Sequence, residues 1–201
     1  MGIAPQATKT NMKKIVIFSS GNGTNAENII KYFQENAEAD TRVMSVFCNN
    51  PKAGVLDKAL KLGVPKVVFT QDELNSGAVA KKLREMKPDL IVLAGFLKKV
   101  PVEILNDFED RVINIHPGLL PEYGGEGMYG IHVHRAVVEN EEEETGITIH
   151  YVTEDYDEGE IIFTETVEVD FEDSPEDVEY KVRQLEYKHY PEVIEYILKD
   201  F

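Results

Sequence analysis

The sequence predicts a single-domain α/β architecture: a mostly parallel sheet with helices on both faces and an antiparallel C-terminal addition. Three observations carry that expectation. Apolar runs such as Ile15-Val16-Ile17-Phe18 and Leu90-Ile91-Val92-Leu93-Ala94 have the length of fully buried strands. Segments with helical patterning alternate with such runs, as crossover connections require. After His116 the alternation gives way to two strand-like segments joined by a turn, an antiparallel pattern.

The elements follow in order. Residues 15–19 form a strand and lead into the turn-rich Ser20-Gly21-Asn22-Gly23-Thr24. A helix spans 25–36 and a second strand 43–48. The helix at 53–62 ends at Gly63, a good C-terminal signal. A short strand covers 67–69 and a helix 78–86, stopped by Lys87-Pro88. Strand 90–94, a short helix at 101–106 and strand 112–115 complete the alternating part. Residues 117–130 hold two Pro, five Gly and two Tyr, and read as a long loop. Residues 131–139 are helical, and the acidic run 141–144 reads as a solvated turn. Strands at 147–152 and 161–169 flank the turn Asp157-Glu158-Gly159. The last element is a long helix with Ser174 as N-cap, Pro175 as first residue and Asp177 as the reach-back acid of a capping box. Val178, Val182, Leu185, Val193 and Ile197 share one face of it, which packs on the sheet.

Composition bounds the rest. The 201 residues hold 21 Lys and Arg against 37 Asp and Glu, a formal charge of −16. Such acidity repels nucleic acid and anionic membranes at long range, while leaving room for a local patch that holds a small anion. An apolar fraction of 42% is that of a globular chain. The one cysteine, Cys48, excludes a disulfide framework and a multi-cysteine zinc site, and its place in a strand makes it a core residue. No apolar run has the length of a membrane span. Residues 1–11 are polar, lack the apolar core of a signal peptide and read as a disordered tail or a cloning remnant. The expectation is a cytoplasmic protein, monomer or homodimer, whose folded domain covers 12–201.

Two constellations carry chemistry. Ser20-Gly21-Asn22-Gly23-Thr24-Asn25 stands between a strand and a helix. Its glycines let the backbone approach an anion, and the free N–H groups at the helix start favour a phosphate. The alternative is a tight turn without ligand. Neither a Walker loop nor the dinucleotide glycine spacing is present, so a phosphate on a small metabolite fits better than NTP or NAD. Asn114-Ile115-His116-Pro117 ends a strand in the centre of the sheet. Residues two apart on a strand share a face, and ligands bind outside the C-terminal ends of parallel strands. An Asn amide can stabilise an oxyanion, and a His can exchange a proton near neutral pH. Asp157, if folded back onto His116, would favour its imidazolium form and raise its pKa.

These pieces resemble the folate-dependent glycinamide ribonucleotide formyltransferases. Carried in order are Ser20-Gly21-Asn22-Gly23-Thr24-Asn25, Leu93-Ala94-Gly95-Phe96, Asn114-Ile115-His116-Pro117-Gly118-Leu119-Leu120-Pro121, and His150-Tyr151-Val152 with Asp157-Glu158-Gly159. The resemblance runs from Met12 to the last helix. It implies the formyltransferase fold, a Rossmann-like sheet, and formyl transfer from 10-formyltetrahydrofolate, the co-substrate, to the amine of glycinamide ribonucleotide. It implies no metal. Asn114, His116 and Asp157 match the family's catalytic trio. Gly23, Thr24 and Asn25 match its phosphate loop, and Glu186 a position at the ribose. Leu97, Lys98, Lys99, Val100 and Asn114 match the folate side, with 153–157 closing the cleft. His150 matches a supporting position.

Lys98 and Lys99 either meet the glutamate tail of folate or lie in solvent. His132 and His134 read as loop-packing residues rather than a metal pair. The sequence departs from some members in two places. Residues 71–77 lack an Arg that would meet the folate tail, and the glycine-rich 123–130 segment is longer and reads as a mobile flap. Rival readings are a formyltetrahydrofolate hydrolase, expected to carry a further N-terminal domain, and a catalytically silent folate or nucleotide binder. A tRNA-directed relative would need a basic surface and a further C-terminal domain.

Overall fold

The structure, a computed structural model, describes residues 12–200. The tail expected over 1–11, and the last residue of the expected domain, lie outside the described residues. Seven strands form one sheet: β1 (Lys13–Phe18), β2 (Thr41–Cys48), β3 (Lys66–Val68), β4 (Leu90–Leu93), β5 (Val112–His116), β6 (Glu144–Tyr151) and β7 (Ile161–Glu168). Their order is β3-β2-β1-β4-β5-β6-β7. The pairs from β3 through β5 are parallel, and β5–β6 and β6–β7 are antiparallel. The helices are α1 (Thr24–Glu35), α2 (Gly54–Lys61), α3 (Gln71–Asn75), α4 (Ala78–Met86), α5 (Val102–Asp107), α6 (Ile131–Glu139) and α7 (Pro175–Leu198).

Both faces of the sheet are covered, for a reason visible in β1. Ile15 and Ile17 join a core with Ile29, Ile30 and Phe33 of α1, Val55 of α2, Val133 and Val137 of α6 and Val178, Val182 and Ile194 of α7. Val16 and Phe18 point the other way, into a second core with Leu74 of α3, Val79 and Leu83 of α4 and Ile104 of α5. A two-residue period inside a wholly apolar strand thus feeds two cores at once. Phe18 centres the second core, with ring centroids 5.0, 5.8 and 5.2 Å from Phe47, Phe69 and Phe96.

Three details differ from the sequence expectation. Residues 71–75 form a helix, α3, because Thr70 and Glu73 close a full capping box. Five residues are too few for helical periodicity to be visible. A 3-10 turn occupies Ala37–Ala39. Glu144 belongs to strand β6, not to the acidic turn, since the ladder to β7 continues to Glu144–Glu168. The capping box of α7 forms as expected, with Ser174 accepting from the Asp177 N–H. Cys48 is buried and its thiol is pushed up by that burial.

The order places β1 beside β4, where the connections switch direction. In open α/β sheets the ligand crevice opens outside the strand ends at that point. The turn after β1 is held there by several bonds. The Ser20 amide donates to the Gly95 carbonyl (2.9 Å), and the Leu97 amide donates to Ser20 Oγ (3.0 Å). Gly23 lies at φ +70°, where a Cβ would stand 2.3 Å from Val55 Cγ2. Gly23→Ala should therefore destabilise the protein by about 2–4 kcal/mol, from overpacking plus left-handed strain. Urea denaturation checks this, and a loss below about 0.5 kcal/mol would mean that the turn has slack.

Candidate active site

A cavity of about 500 Å³ opens at the switch point. Its lining comes from the start of α1 (Thr24, Asn25), the turn after β4 (Gly95, Phe96, Leu97), the end of β5 (Asn114, Ile115, His116), the 125–130 loop, Asp157 and one side of α7. The size is that of a small-metabolite site.

Asn114 and His116 reach the cavity because they sit two apart on β5. His150 faces Asn114 across the antiparallel β5–β6 pair. One ring nitrogen of His150, Nδ1, donates to the Tyr151 carbonyl at 2.9 Å. That leaves Nε2 to accept from Asn114 Nδ2 at 3.1 Å. The amide of Asn114 is thereby fixed with a second N–H free. His150 thus stands directly behind Asn114, outside the lining of the main cavity.

Asp157 does fold back. Its Oδ2 is 3.5 Å from His116 Nδ1 and its Oδ1 3.5 Å from His150 Nε2. The Gly125 N–H, in the glycine-rich loop, donates to Oδ2 at 3.0 Å. Burial alone would raise the Asp157 pKa, but the His150 and His116 rings, once they carry a proton toward it, and this N–H outweigh burial, and the carboxyl is held below its usual value.

His116 behaves differently from the sequence expectation. Its pKa is lowered, not raised. Burial of the ring dominates, and the opposing pull of Asp157 is smaller. The residue is 3% exposed, a degree of enclosure that a sequence does not disclose. Its Nε2 faces the Tyr123 carbonyl at 2.6 Å, an acceptor only, so the neutral ring keeps its proton there. Nδ1 is then a lone pair opposite a carboxylate. Taking up a proton at Nδ1 turns that repulsion into a charge-assisted hydrogen bond.

The phosphate-type turn meets the cavity through Thr24 and Asn25, while Gly23 shapes the turn from behind. Helix α1 starts at Gly23 without a side-chain cap, so its first N–H groups are open to an anion. Asn25 Nδ2 donates to Glu186 Oε2 at 3.1 Å, across 161 positions of sequence. Tyr190, one turn further along α7, is buried and donates to the Leu93 carbonyl at 2.8 Å, which sets the helix over the cavity. Burial pushes the Glu186 pKa up to about 7, against an opposing effect of Asn25.

That shift has a sign that can be tested. The folded state holds its Glu186 proton up to about pH 7, whereas a carboxyl of the unfolded chain has the ordinary glutamate value of 4.5. Stability therefore falls as pH rises through this window. Glu186→Gln removes the penalty. Its melting temperature should match the parent at pH 4.5 and exceed it at pH 8, by roughly 5 °C for a penalty of about 2 kcal/mol. Equal melting temperatures at pH 8 would refute the shift.

The folate-side residues divide. Leu97 is half exposed and lines the main cavity. Lys98, Lys99 and Val100 instead line a separate crevice of about 50 Å³, whose other wall is 152–157. Asn114 and Asp157 border both. Lys99 is exposed, as the solvent reading has it, with its Nζ 3.4 Å from Asp155 Oδ1 and 5.1 Å from the Tyr156 ring centroid. Lys98 is exposed.

Sequence reasoning missed Glu179 and Arg183. They line the cavity with Val182 and Glu186, a stripe at i, i+3, i+4 and i+7 on α7. Extending that spacing backward from Glu186 would have found them. Arg183 is the only Lys or Arg among the described residues lining the cavity, and it is paired with Glu179. Of the α6 histidines, His132 packs against Tyr129 of the preceding loop as expected, whereas His134 is buried at the cavity wall. Among the described residues, no set of three or more His, Cys, Asp or Glu side chains is arranged to hold a metal ion, and no helix is long and apolar enough to cross a membrane.

An open α/β sheet with a cleft at its switch point, an uncapped helix start and an Asn–His–Asp centre defines an α/β protein with a small-molecule site. Residues 13–194 match the formyl transferase family. The chain is 35% identical over 165 residues to phosphoribosylglycinamide formyltransferase of Bacillus subtilis, covering 79% of this chain and 81% of that one. It is 37% identical over 163 residues to the chloroplastic phosphoribosylglycinamide formyltransferase of Arabidopsis thaliana, covering 78% of this chain. It spans about half the length of the plant relatives it matches, 56% and 52%. The crystal structure of phosphoribosylglycinamide formyltransferase from Anaplasma phagocytophilum superposes with a TM-score of 0.86 at 29% identity, over 94% of this chain and 88% of that one. The chain belongs to the formyl transferase family.

Proposed function

We propose that this protein transfers the formyl group of 10-formyltetrahydrofolate to the amine of glycinamide ribonucleotide. The observation that carries the reading is the single cavity that joins an anion-ready helix start to the Asn114–His116–Asp157 centre. The relatives named above agree with it. Thr24, Asn25 and the turn shaped by Gly23 would hold the phosphate, and Glu186 the ribose. Leu97 and Asn114 would face the formyl end of the folate. Lys98, Lys99 and Val100 border its pteridine side, where 153–157 must swing outward because the crevice is smaller than a bound ring system needs.

The chemistry follows from the resting state. The substrate amine attacks the formyl carbon and a tetrahedral oxyanion forms. The free N–H of Asn114 is the donor for that oxygen. His116, neutral at rest, accepts the proton released by the amine at Nδ1, and Asp157 and the Tyr123 carbonyl then stabilise the imidazolium. The imidazolium returns the proton to the departing folate nitrogen, and the C–N bond to folate breaks. No step is routed through a metal. Both substrates are small molecules.

Incubating purified protein with both substrates and following formylglycinamide ribonucleotide and formate in parallel tests the reading. Product without excess formate supports it. Formate alone, or no reaction, refutes it. Thr24→Glu keeps a side chain that suits a helix start but puts a negative charge beside the phosphate. It should raise the ribonucleotide KM by about tenfold or more and leave the folate KM unchanged. Equal losses for both would remove the turn from phosphate binding.

A further inference from the structure

We infer that His134 binds the ribonucleotide, its imidazole hydrogen-bonding the amide that joins the ribose to the reacting amine. The inference rests on the glycinamide ribonucleotide reading proposed above, and nothing in that reading uses this side chain.

His134 is on the inner face of α6, between Val133 and Val137, and is 2% exposed. Its Nδ1 has no hydrogen-bond partner among the described residues. Buried polar atoms are almost always paired, because leaving water without a new partner costs free energy. An aliphatic side chain would fill the same position of the helix without that cost. Four buried side-chain atoms among the described residues lack a partner, and two of them, on Asn25 and His134, belong to residues that line the cavity.

Position says what the ring meets. Charged and titratable groups act on it from two elements: Glu179 and Arg183 of α7, and His116 of β5. The ring thus stands between the reacting centre and the α7 stripe that carries Glu186. A ribonucleotide with its phosphate at Thr24 and Asn25, its ribose at Glu186 and its amine at His116 must lay its amide along this stretch. A neutral imidazole can either donate to the C=O or accept from the N–H of a secondary amide. Burial keeps the ring neutral near pH 7, with its pKa pushed down to about 4.

His134→Leu and His134→Phe, made in the full chain, test this. Each should raise the ribonucleotide KM about tenfold, the usual worth of one good hydrogen bond. The folate KM should stay unchanged, and the melting temperature of the ligand-free variants should equal or exceed that of the parent. An unchanged ribonucleotide KM in both variants overturns the inference, whatever the melting temperature. If the KM rises but the melting temperature falls, the parent decides by NMR. The His134 ring nitrogens should shift when glycinamide ribonucleotide is added without folate, and unshifted nitrogens overturn the inference. A parent that neither binds nor formylates the ribonucleotide refutes the proposed function, and this inference with it. Normal parent kinetics with unaffected variants refute this inference alone.

Discussion

Replacing His116 by alanine should lower kcat for formyl transfer by about 10²–10⁴-fold. The barrier rises by roughly 3 kcal/mol at the lower end of that range. The effect follows from the two ring nitrogens having different tasks. Nε2 is committed to the Tyr123 carbonyl at 2.6 Å, so only Nδ1 can exchange a proton with substrate. The ring is buried and its pKa lowered, so the resting nitrogen is an unprotonated base at neutral pH. Alanine removes the base and leaves the Tyr123 carbonyl without a donor, which costs about 1–3 kcal/mol of stability. Assays must therefore run well below the melting temperature of the variant. Ribonucleotide affinity, held by α1 and α7, should be retained. A rate within threefold of the parent would remove His116 from the proton transfer.

The fold was legible because its strands are short, apolar and punctuated. The wholly apolar β1 and β4 could only be strands buried on both faces, and that already implied helices above and below. What the sequence hid is local or long-range. α3 is too short to show a period. Glu144 looked like part of an acidic turn because strand pairing, not composition, decides where a ladder stops. Of the site, Asn114 and His116 were visible from their spacing on one strand, and Asp157 from the matching motif. The direction of the His116 pKa was not, because it depends on how completely the ring is enclosed. Asp157 pulls it as anticipated, and burial wins.

The net charge of −16 takes on a different meaning beside the cavity. Four carboxylates line it, those of Glu126, Asp157, Glu179 and Glu186, against one arginine already paired. An anionic substrate is therefore not drawn in by side-chain charge. Backbone N–H groups at the α1 start must supply the attraction, together with neutral donors such as Asn25. Protonation of Glu186 near neutral pH removes one of the opposing charges.

Asp157→Asn should lower kcat by about 10²-fold and move the pH profile in a defined direction. Asparagine preserves size and can still accept the Gly125 N–H, so the loop contact at 3.0 Å survives. The charge is lost. With it goes the partner that stabilises the His116 imidazolium, so the proton leaving the amine has a poorer destination. Asp157 also raises the His116 pKa, against the larger effect of burial. Without it that pKa falls further. The acid limb of kcat/KM reports protonation of the free-enzyme base. That limb should therefore shift to lower pH in the variant, even as the plateau drops. Stability has its own sign. The folded-state pKa of Asp157 lies below the ordinary aspartate value of 3.8, so its contribution is present above that value and is lost as pH falls through the folded pKa. The variant should accordingly be less stable than the parent at pH 7, with the difference shrinking below pH 3.8. An acid limb that stays in place or moves to higher pH would show that the carboxylate does not act on His116, and that Asp157 serves only to hold the Gly125 loop.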